Sequence, residues 1–182
     1  MKQGDYRIFV EAFPVGEGAD RIQAVRERYD WKTSQITAPH VTLAGTYWRT
    51  GPPTAVHEAN LIAKLHEISC SSAFDLTLGG IKTFGQRVVY LDVAITPALT
   101  AVRQHLLHLM GPDKHHHWTP HLTLAMRLKP EGVKQMVEEL KAEEWENGRF
   151  TFPIHELHLM QRGGNDPAWR SIAQYQLIVS NS

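Results

Sequence analysis

The alternation of apolar and polar positions predicts that short strands and a few helices follow one another along this chain. Runs rich in β-branched and aromatic residues predict strands, whereas apolar residues spaced by three and four predict amphipathic helices. The predicted strands lie at residues 7–15, 40–47, 74–78, 87–95, 121–128, 150–161 and 172–179. The predicted helices lie at residues 21–29, 55–68 and 97–110, and a fourth begins at residue 130.

Capping and turn residues support these boundaries. Thr54 is expected to cap the second helix, and Pro97 and Pro130 stand where the later helices begin. Gly79 and Gly80 are expected to interrupt a strand. Because the turns are short and the helices few, the pattern predicts an α+β fold with mainly antiparallel sheet, and not a doubly wound parallel sheet.

An internal repeat is the most informative feature of the sequence. Its two copies read Pro39-His40-Val41-Thr42-Leu43-Ala44 and Pro120-His121-Leu122-Thr123-Leu124-Ala125. They lie 81 residues apart in a chain of 182, which is close to half its length. This spacing predicts two similar lobes, each with one copy of the motif.

The strand period predicts where the motif side chains face. Successive side chains alternate between the two faces of a strand, so His40 shares a face with Thr42, and His121 with Thr123. A shared cleft would then hold two imidazoles and two hydroxyls. Cleavage of a phosphodiester needs one base and one acid, roles that histidine fills near neutral pH, and hydroxyls can bind the phosphate oxygens. This chemistry demands no metal.

Composition narrows the setting without naming a function. Lys and Arg together number 19, as do Asp and Glu, so a chain held to nucleic acid by bulk charge is disfavoured, although a local basic cleft is not. The single cysteine excludes an intrachain disulfide and favours a cytoplasmic location. We see no signal peptide, no membrane span and no glycine-rich nucleotide loop.

The paired motifs resemble those of the 2H phosphoesterases, and in particular the group named for 2′-5′ RNA ligase and RNA 2′,3′-cyclic phosphodiesterase. The resemblance extends to residues 7–10, 80–85, 88–91, 157–159 and 175–177, and thus spans nearly the whole chain. It implies one bilobal domain over residues 1–182, with two pseudo-symmetric lobes of mainly antiparallel sheet, flanking helices and an active-site cleft between the lobes.

The resemblance also implies an activity. Such enzymes open 2′,3′-cyclic phosphates to 2′-phosphates without metal or cofactor, and some also join RNA ends through 2′-5′ linkages. By position, His40 and His121 would be the acid and base, in either order, and Thr42 and Thr123 the phosphate contacts. The expected partner is a small cyclic nucleotide or an RNA end that carries a cyclic phosphate, with no membrane and no obligate protein partner.

Three further residues are candidate substrate contacts. Several relatives have Arg directly after the second Leu-Ala pair, where this chain has Met126. Arg127 follows it and shares strand parity with His121, so it is a candidate phosphate or RNA contact. Phe84 and Trp118 flank the motif segments and are candidates to stack on bases.

Two alternatives remain open at this stage. One is an RNA-binding or RNA-processing accessory protein with the same fold and little turnover, although the intact His and Thr pairs favour an enzyme. The other is a metal-dependent hydrolase that uses the run His115-His116-His117. Adjacent residues of an extended loop face opposite sides, which favours a solvated loop near the site instead.

Overall fold

The structure, a computed structural model, describes residues 5–115 and 117–179. Eight strands form one sheet in the order β6-β3-β4-β5-β2-β1-β7-β8, and the paired strands all run antiparallel. The strands are β1 (Tyr6–Ala12), β2 (Val41–Arg49), β3 (Phe74–Phe84), β4 (Val88–Val93), β5 (His121–Met126), β6 (Phe150–Ile154), β7 (Glu156–Gly163) and β8 (Arg170–Gln176). The helices are α1 (Glu17–Ser34), α2 (Ala55–Leu65), α3 (Pro97–Met110) and α4 (Pro130–Ala142). These features confirm the α+β class.

The sheet consists of two four-stranded halves that meet at the motif strands. β2 and β5 pair through one residue pair, Val41 with Leu122, one position after each motif histidine. One half contains the unit β1-α1-β2, and the other contains the corresponding unit β4-α3-β5. The internal repeat therefore reflects a pseudo-two-fold relation that places both motifs along the central seam of the sheet.

The core explains why the aliphatic motif residues alternate with the polar ones. Val41, Leu43, Leu122 and Leu124 are at most 1% exposed. Each such burial contributes about 1.5–3 kcal/mol. Helix α1 packs against β5, and α3 packs against β2, so each helix covers a strand of the opposite half. The two halves are thus joined by a shared core as well as by the seam.

Helix boundaries follow the expected capping chemistry. The Thr54 hydroxyl accepts a hydrogen bond from the His57 amide at 3.2 Å, which confirms the predicted cap of α2. Helix α3 spans the predicted residues and ends at Gly111, whose φ of 85° suits glycine. Among the described residues, none of the helices combines the length and the apolar character needed to cross a membrane.

Three expectations about elements were wrong. The predicted strand at 150–161 is two strands, β6 and β7, which lie far apart in the sheet order. Helix α1 is longer than expected, since it begins at Glu17 and continues beyond a kink at Asp30 to Ser34. Strand β3 runs to Phe84 instead of ending at Leu78, although its pairing with β4 shifts register between Leu78 and Ile81, at the two glycines. An added Cβ at Gly79 would lie 2.3 Å from the Gly148 carbonyl oxygen, so this glycine permits close backbone packing.

Candidate functional site

The two motif histidines occupy matching local settings. His40 Nδ1 lies 2.8 Å from the carbonyl oxygen of Ala38, and His121 Nδ1 lies 2.8 Å from that of Thr119. A carbonyl oxygen only accepts, so each Nδ1 carries the hydrogen and each Nε2 is the ring nitrogen available for proton exchange. In both copies the carbonyl belongs to the residue two positions before the histidine, so the repeat itself sets the ring orientation.

Both motif pairs line one cavity of about 470 Å³. Its walls include His40, Thr42, His121 and Thr123, as the strand parity predicted, together with Arg127. A more open groove of about 790 Å³ lies beside it, but none of the motif histidines or threonines lines that groove. We therefore take the 470 Å³ cavity, here called the motif cavity, as the candidate site.

The aromatic candidates lie in an adjoining cavity of about 360 Å³ that shares Thr42 and His121 with the motif cavity. The Phe84 ring meets the His121 ring edge to face, with centroids 4.8 Å apart. Trp118 donates from its indole nitrogen to the Thr42 carbonyl oxygen at 3.4 Å, and its ring covers Arg103. Phe84 thus contacts the His121 ring, whereas Trp118 lines the smaller cavity and contacts the backbone of Thr42.

A carboxyl group that the sequence analysis missed lies beside His40. Glu11 on β1 is 1% exposed, and its Oε1 lies 3.5 Å from His40 Nε2. Burial raises the pKa of the Glu11 carboxyl, while the nearby His40 and His158 imidazoles and the Thr42 hydroxyl act in the opposite direction. Glu11 is therefore a buried carboxyl group beside the partly exposed His40 ring.

The setting of His121 is apolar by comparison. Its ring lies 5.2 Å from that of Tyr90 and 4.8 Å from that of Phe84, in edge contacts. Burial lowers the pKa of His121 below the ordinary histidine value of 6.5, and the hydrogen bond to Thr119 and the Asp92 carboxylate offset only part of that effect. The neutral imidazole is thus favoured at this position.

The sheet register shows where the two halves differ. Glu11 is the cross-strand partner of Thr42, and the corresponding partner of Thr123 is Tyr90. The pseudo-symmetry that repeats the histidines and threonines is therefore broken at the neighbouring strand, by a carboxyl group on one side and a phenol on the other. The two imidazoles of the repeat therefore have different neighbours.

The histidine run lies at the edge of the site. His115 lines both cavities and His117 the smaller one, while His116 lies outside the described residues. Across residues 5–115 and 117–179, no three His, Cys, Asp or Glu side chains come close enough together to hold a metal ion. The described part of the run therefore lines the cleft without forming a ligand set.

Comparison with known proteins gives the chain its family. A sequence profile of the 2′-5′ RNA ligase superfamily matches residues 14–166, and a search of curated proteins finds no match. The crystal structure of LigT from E. coli in complex with 3′-AMP aligns with a TM-score of 0.59 at 17% identity, over 94% of this chain and 98% of that chain. The crystal structure of TT0787 from Thermus thermophilus aligns with a TM-score of 0.58 at 18% identity, over 94% and 97%.

At such low identity the two solved structures show a shared fold and nothing finer. The profile goes further because its matched range covers most of the chain and includes both His-x-Thr motifs. The repeat, the two-halved sheet and the profile agree, and the chain belongs to the 2′-5′ RNA ligase superfamily, a group of 2H phosphoesterases.

Proposed function

We propose that this protein is a metal-independent phosphodiesterase that opens 2′,3′-cyclic phosphates to 2′-phosphates. The observation that carries the proposal is the convergence of two histidines and two threonines on the motif cavity, each histidine with Nδ1 bound to a backbone oxygen. The complex of LigT with 3′-AMP supports a nucleotide-sized substrate for a chain of this fold.

The proposed reaction needs one proton removed and one delivered. His121 Nε2 takes a proton from water, and the water oxygen attacks phosphorus. The bond from phosphorus to the ribose 3′ oxygen breaks, and His40 Nε2 gives its proton to that oxygen. Thr42 and Thr123 donate hydrogen bonds to the non-bridging oxygens as their charge grows. The products are a 2′-phosphate and a free 3′ hydroxyl, and proton transfer between the histidines restores the enzyme.

The different surroundings of the two histidines support this division of roles. A base must start neutral, and burial against Tyr90 and Phe84 lowers the pKa of His121. An acid must deliver a proton, and the Glu11 carboxyl group lies 3.5 Å from His40 Nε2, where it can interact with the ring that would deliver it. A ribose 5′ hydroxyl in place of water would give a 2′-5′ linkage by the same proton transfers.

The test of this activity is hydrolysis of a nucleoside 2′,3′-cyclic phosphate in the presence of EDTA. We expect turnover to persist with the chelator and phosphorus NMR to identify the product as the 2′-phosphate. Activity abolished by EDTA and restored by metal would instead support a metal-dependent hydrolase. Absence of turnover with a panel of cyclic phosphates, together with retained RNA binding, would contradict the proposal and support the accessory-protein alternative.

Substitution of Glu11 by glutamine tests the division of roles. The pH profile of kcat in the wild type should be bell-shaped, with its acidic limb below pH 6.5 because the pKa of His121 is lowered. Glutamine keeps the shape of the Glu11 side chain but has no acidic group to place beside His40 Nε2. We therefore expect Glu11→Gln to move the alkaline limb down by about one pH unit or more, while the acidic limb stays in place.

The matched control is Glu67→Gln, because Glu67 is exposed in the short 3₁₀ helix after α2 and lines neither cavity. Its profile should coincide with that of the wild type. A shift of the acidic limb in Glu11→Gln, or an unmoved alkaline limb, would contradict the assignment of His40 as the acid.

A further inference from the structure

The motif cavity contains more positive charge than one phosphate requires. Four arginines line it, and Glu11 is the one acidic residue among its described walls. None of the four forms an ion pair with a described carboxylate. Arg26, on α1, donates to Gln23, and Arg162 donates to the Asp166 and Pro167 carbonyl oxygens. Three of the four lie in the sheet or at the end of one of its strands, namely Arg7, Arg127 and Arg162. These last three, here called the arginine trio, lie on β1, directly after β5 and on β7.

The members of the trio lie close to one another. Arg7 and Arg162 are direct cross-strand partners in the pairing of β1 with β7. The pKa of Arg7 is lowered by burial and, beyond that, by the charges of Arg162 and Arg127. Like charges opposite each other in a sheet are destabilising. The presence of Arg7 opposite Arg162 with no carboxylate between them therefore indicates a site where a bound anion would neutralise their charge.

Arg7 is held in place by packing instead of an ion pair. Its guanidinium lies against two indole rings, 5.3 Å from the Trp48 centroid and 5.0 Å from the Trp169 centroid. The two rings therefore hold the Arg7 guanidinium in position before any ligand binds.

Arg127 is fixed in an unfavourable backbone conformation. Its φ is 60°, and it is the only residue other than glycine with positive φ in the described part of the chain. For a residue with a Cβ this conformation costs about 1–2 kcal/mol, and such strain occurs preferentially at ligand sites. The strain turns Arg127 out of the strand geometry at the end of β5 while its side chain lines the motif cavity.

Strand β1 sets the distance between this cluster and the reacting groups. Arg7, Phe9 and Glu11 lie on one face of the strand and all line the motif cavity. At roughly 3.3 Å per residue, Arg7 lies about 13 Å along the strand from Glu11, which neighbours His40. Between them Phe9 packs on Trp169 at 4.7 Å, which gives the intervening space an aromatic wall.

We infer that the arginine trio forms a second phosphate site, which binds the phosphate on the 5′ side of the nucleoside whose cyclic phosphate is opened. This inference rests on the proposed function and names its substrate class. The cyclic phosphate lies between the motif histidines, the nucleoside lies along Phe9 and Trp169, and the next phosphate reaches the guanidiniums. The substrate is then an RNA 3′ end or a 5′-phosphorylated cyclic nucleotide, in preference to a plain nucleoside cyclic phosphate.

The test compares three substrates with the same terminal base: the nucleoside 2′,3′-cyclic phosphate, its 5′-phosphorylated form, and a dinucleotide that ends in the same cyclic phosphate. We expect kcat/KM for each of the two doubly phosphorylated substrates to exceed that of the first by roughly 10- to 100-fold, the usual effect of charged hydrogen bonds. If kcat/KM for the dinucleotide exceeds that for the 5′-phosphorylated nucleotide, the phosphate that the arginine trio prefers is the internucleotide phosphate of an RNA end.

Arg162→Met should lower this substrate ratio roughly tenfold, because methionine keeps an apolar stem and removes the charge. Arg162→Lys should retain part of the ratio. The ratio is measured within one variant, so it does not depend on the fraction of protein that folds. The matched control is Arg149→Met, an exposed arginine that does not line the motif cavity, which should keep the wild-type ratio.

The outcomes separate the two proposals. Equal kcat/KM for all three substrates in the wild type, or an unchanged ratio in Arg162→Met, would overturn the second phosphate site and leave the phosphodiesterase proposal intact. Absence of turnover with all three would overturn the proposed function itself.

Discussion

Replacing either motif histidine by asparagine is expected to lower kcat on a 2′,3′-cyclic phosphate by about 10²- to 10⁴-fold, the usual contribution of one general acid or base. Asparagine suits the test because its amide nitrogen can still donate to the Ala38 or Thr119 carbonyl oxygen, as Nδ1 does, while Nε2 is removed. The loss should fall on kcat, since the cavity that binds the substrate is retained.

The two variants should differ in what remains of the pH dependence. His121→Asn is expected to lose the acidic limb, and His40→Asn the alkaline limb. The double variant should be little slower than either single one, because residues that act in one step have strongly non-additive effects. His66→Asn is the control, since His66 is exposed and lines neither cavity. Either motif variant with wild-type kcat would refute a mechanism with two histidines.

The sequence predicted the motif half of this site because a strand obeys a simple rule. Side chains of a strand alternate between its two faces, so if His40 faces the cavity, Thr42 must face it as well. The burial of Val41 and Leu43 on the other face confirms that alternation. The same rule applies to the second copy. Sequence patterns were therefore sufficient to predict the orientation of a side chain wherever that orientation depends on a single strand.

Glu11 could not be predicted in this way, because its role depends on a neighbouring strand. In the sequence it stands within an apolar run that predicts a buried strand, and its burial confirms that prediction. Its partner His40 is supplied by the pairing of β1 with β2, and no local pattern sets that register. The parity of Arg7, Phe9 and Glu11 was the available signal, since all three are polar or aromatic at alternate positions.

The boundary errors have a similar origin. Residues 150–161 look like one strand because apolar residues recur through the segment without a glycine to divide it, yet β6 ends at Ile154 and β7 begins at Glu156. β6 pairs with β3, whereas β7 pairs with β1 and β8. The chain thus passes from one half of the sheet to the other within two residues, a choice made by long-range pairing and not by propensity.

The second large effect concerns the buried ion pair that holds the loop after α3 against β2. Arg103 and Asp113 bind through two hydrogen bonds of 3.0 and 3.1 Å, with side chains 8% and 2% exposed. Arg103 also donates to the Leu43 carbonyl oxygen at 2.5 Å, and Asp113 accepts from the Gly45 amide at 3.2 Å. The pair therefore links the loop to the strand that contains Thr42.

Arg103→Met should lower the free energy of unfolding by about 3–5 kcal/mol, because it leaves the Asp113 carboxylate buried without its partner. That is a large share of the roughly 5–15 kcal/mol that stabilises a typical domain. The measurement is urea unfolding at neutral pH. Asp113→Leu should be similarly destabilising alone, whereas the double variant should recover much of the loss, since an apolar pair of similar volume leaves no buried charge.

The pH dependence gives this prediction its sign. Burial by itself would raise the pKa of Asp113, but hydrogen bonds from Arg103, His115 and Gly45 hold it below its usual value of 3.8. A carboxyl group whose pKa is lower in the folded protein than in the unfolded chain stabilises the fold at any pH above the unfolded-state pKa. That stabilisation is lost as pH falls through the folded-state pKa. The gap between wild type and Arg103→Met should thus be widest at neutral pH and narrow below about pH 4. A loss under 1 kcal/mol at neutral pH, or a gap that widens in acid, would show that the pair does not stabilise the loop.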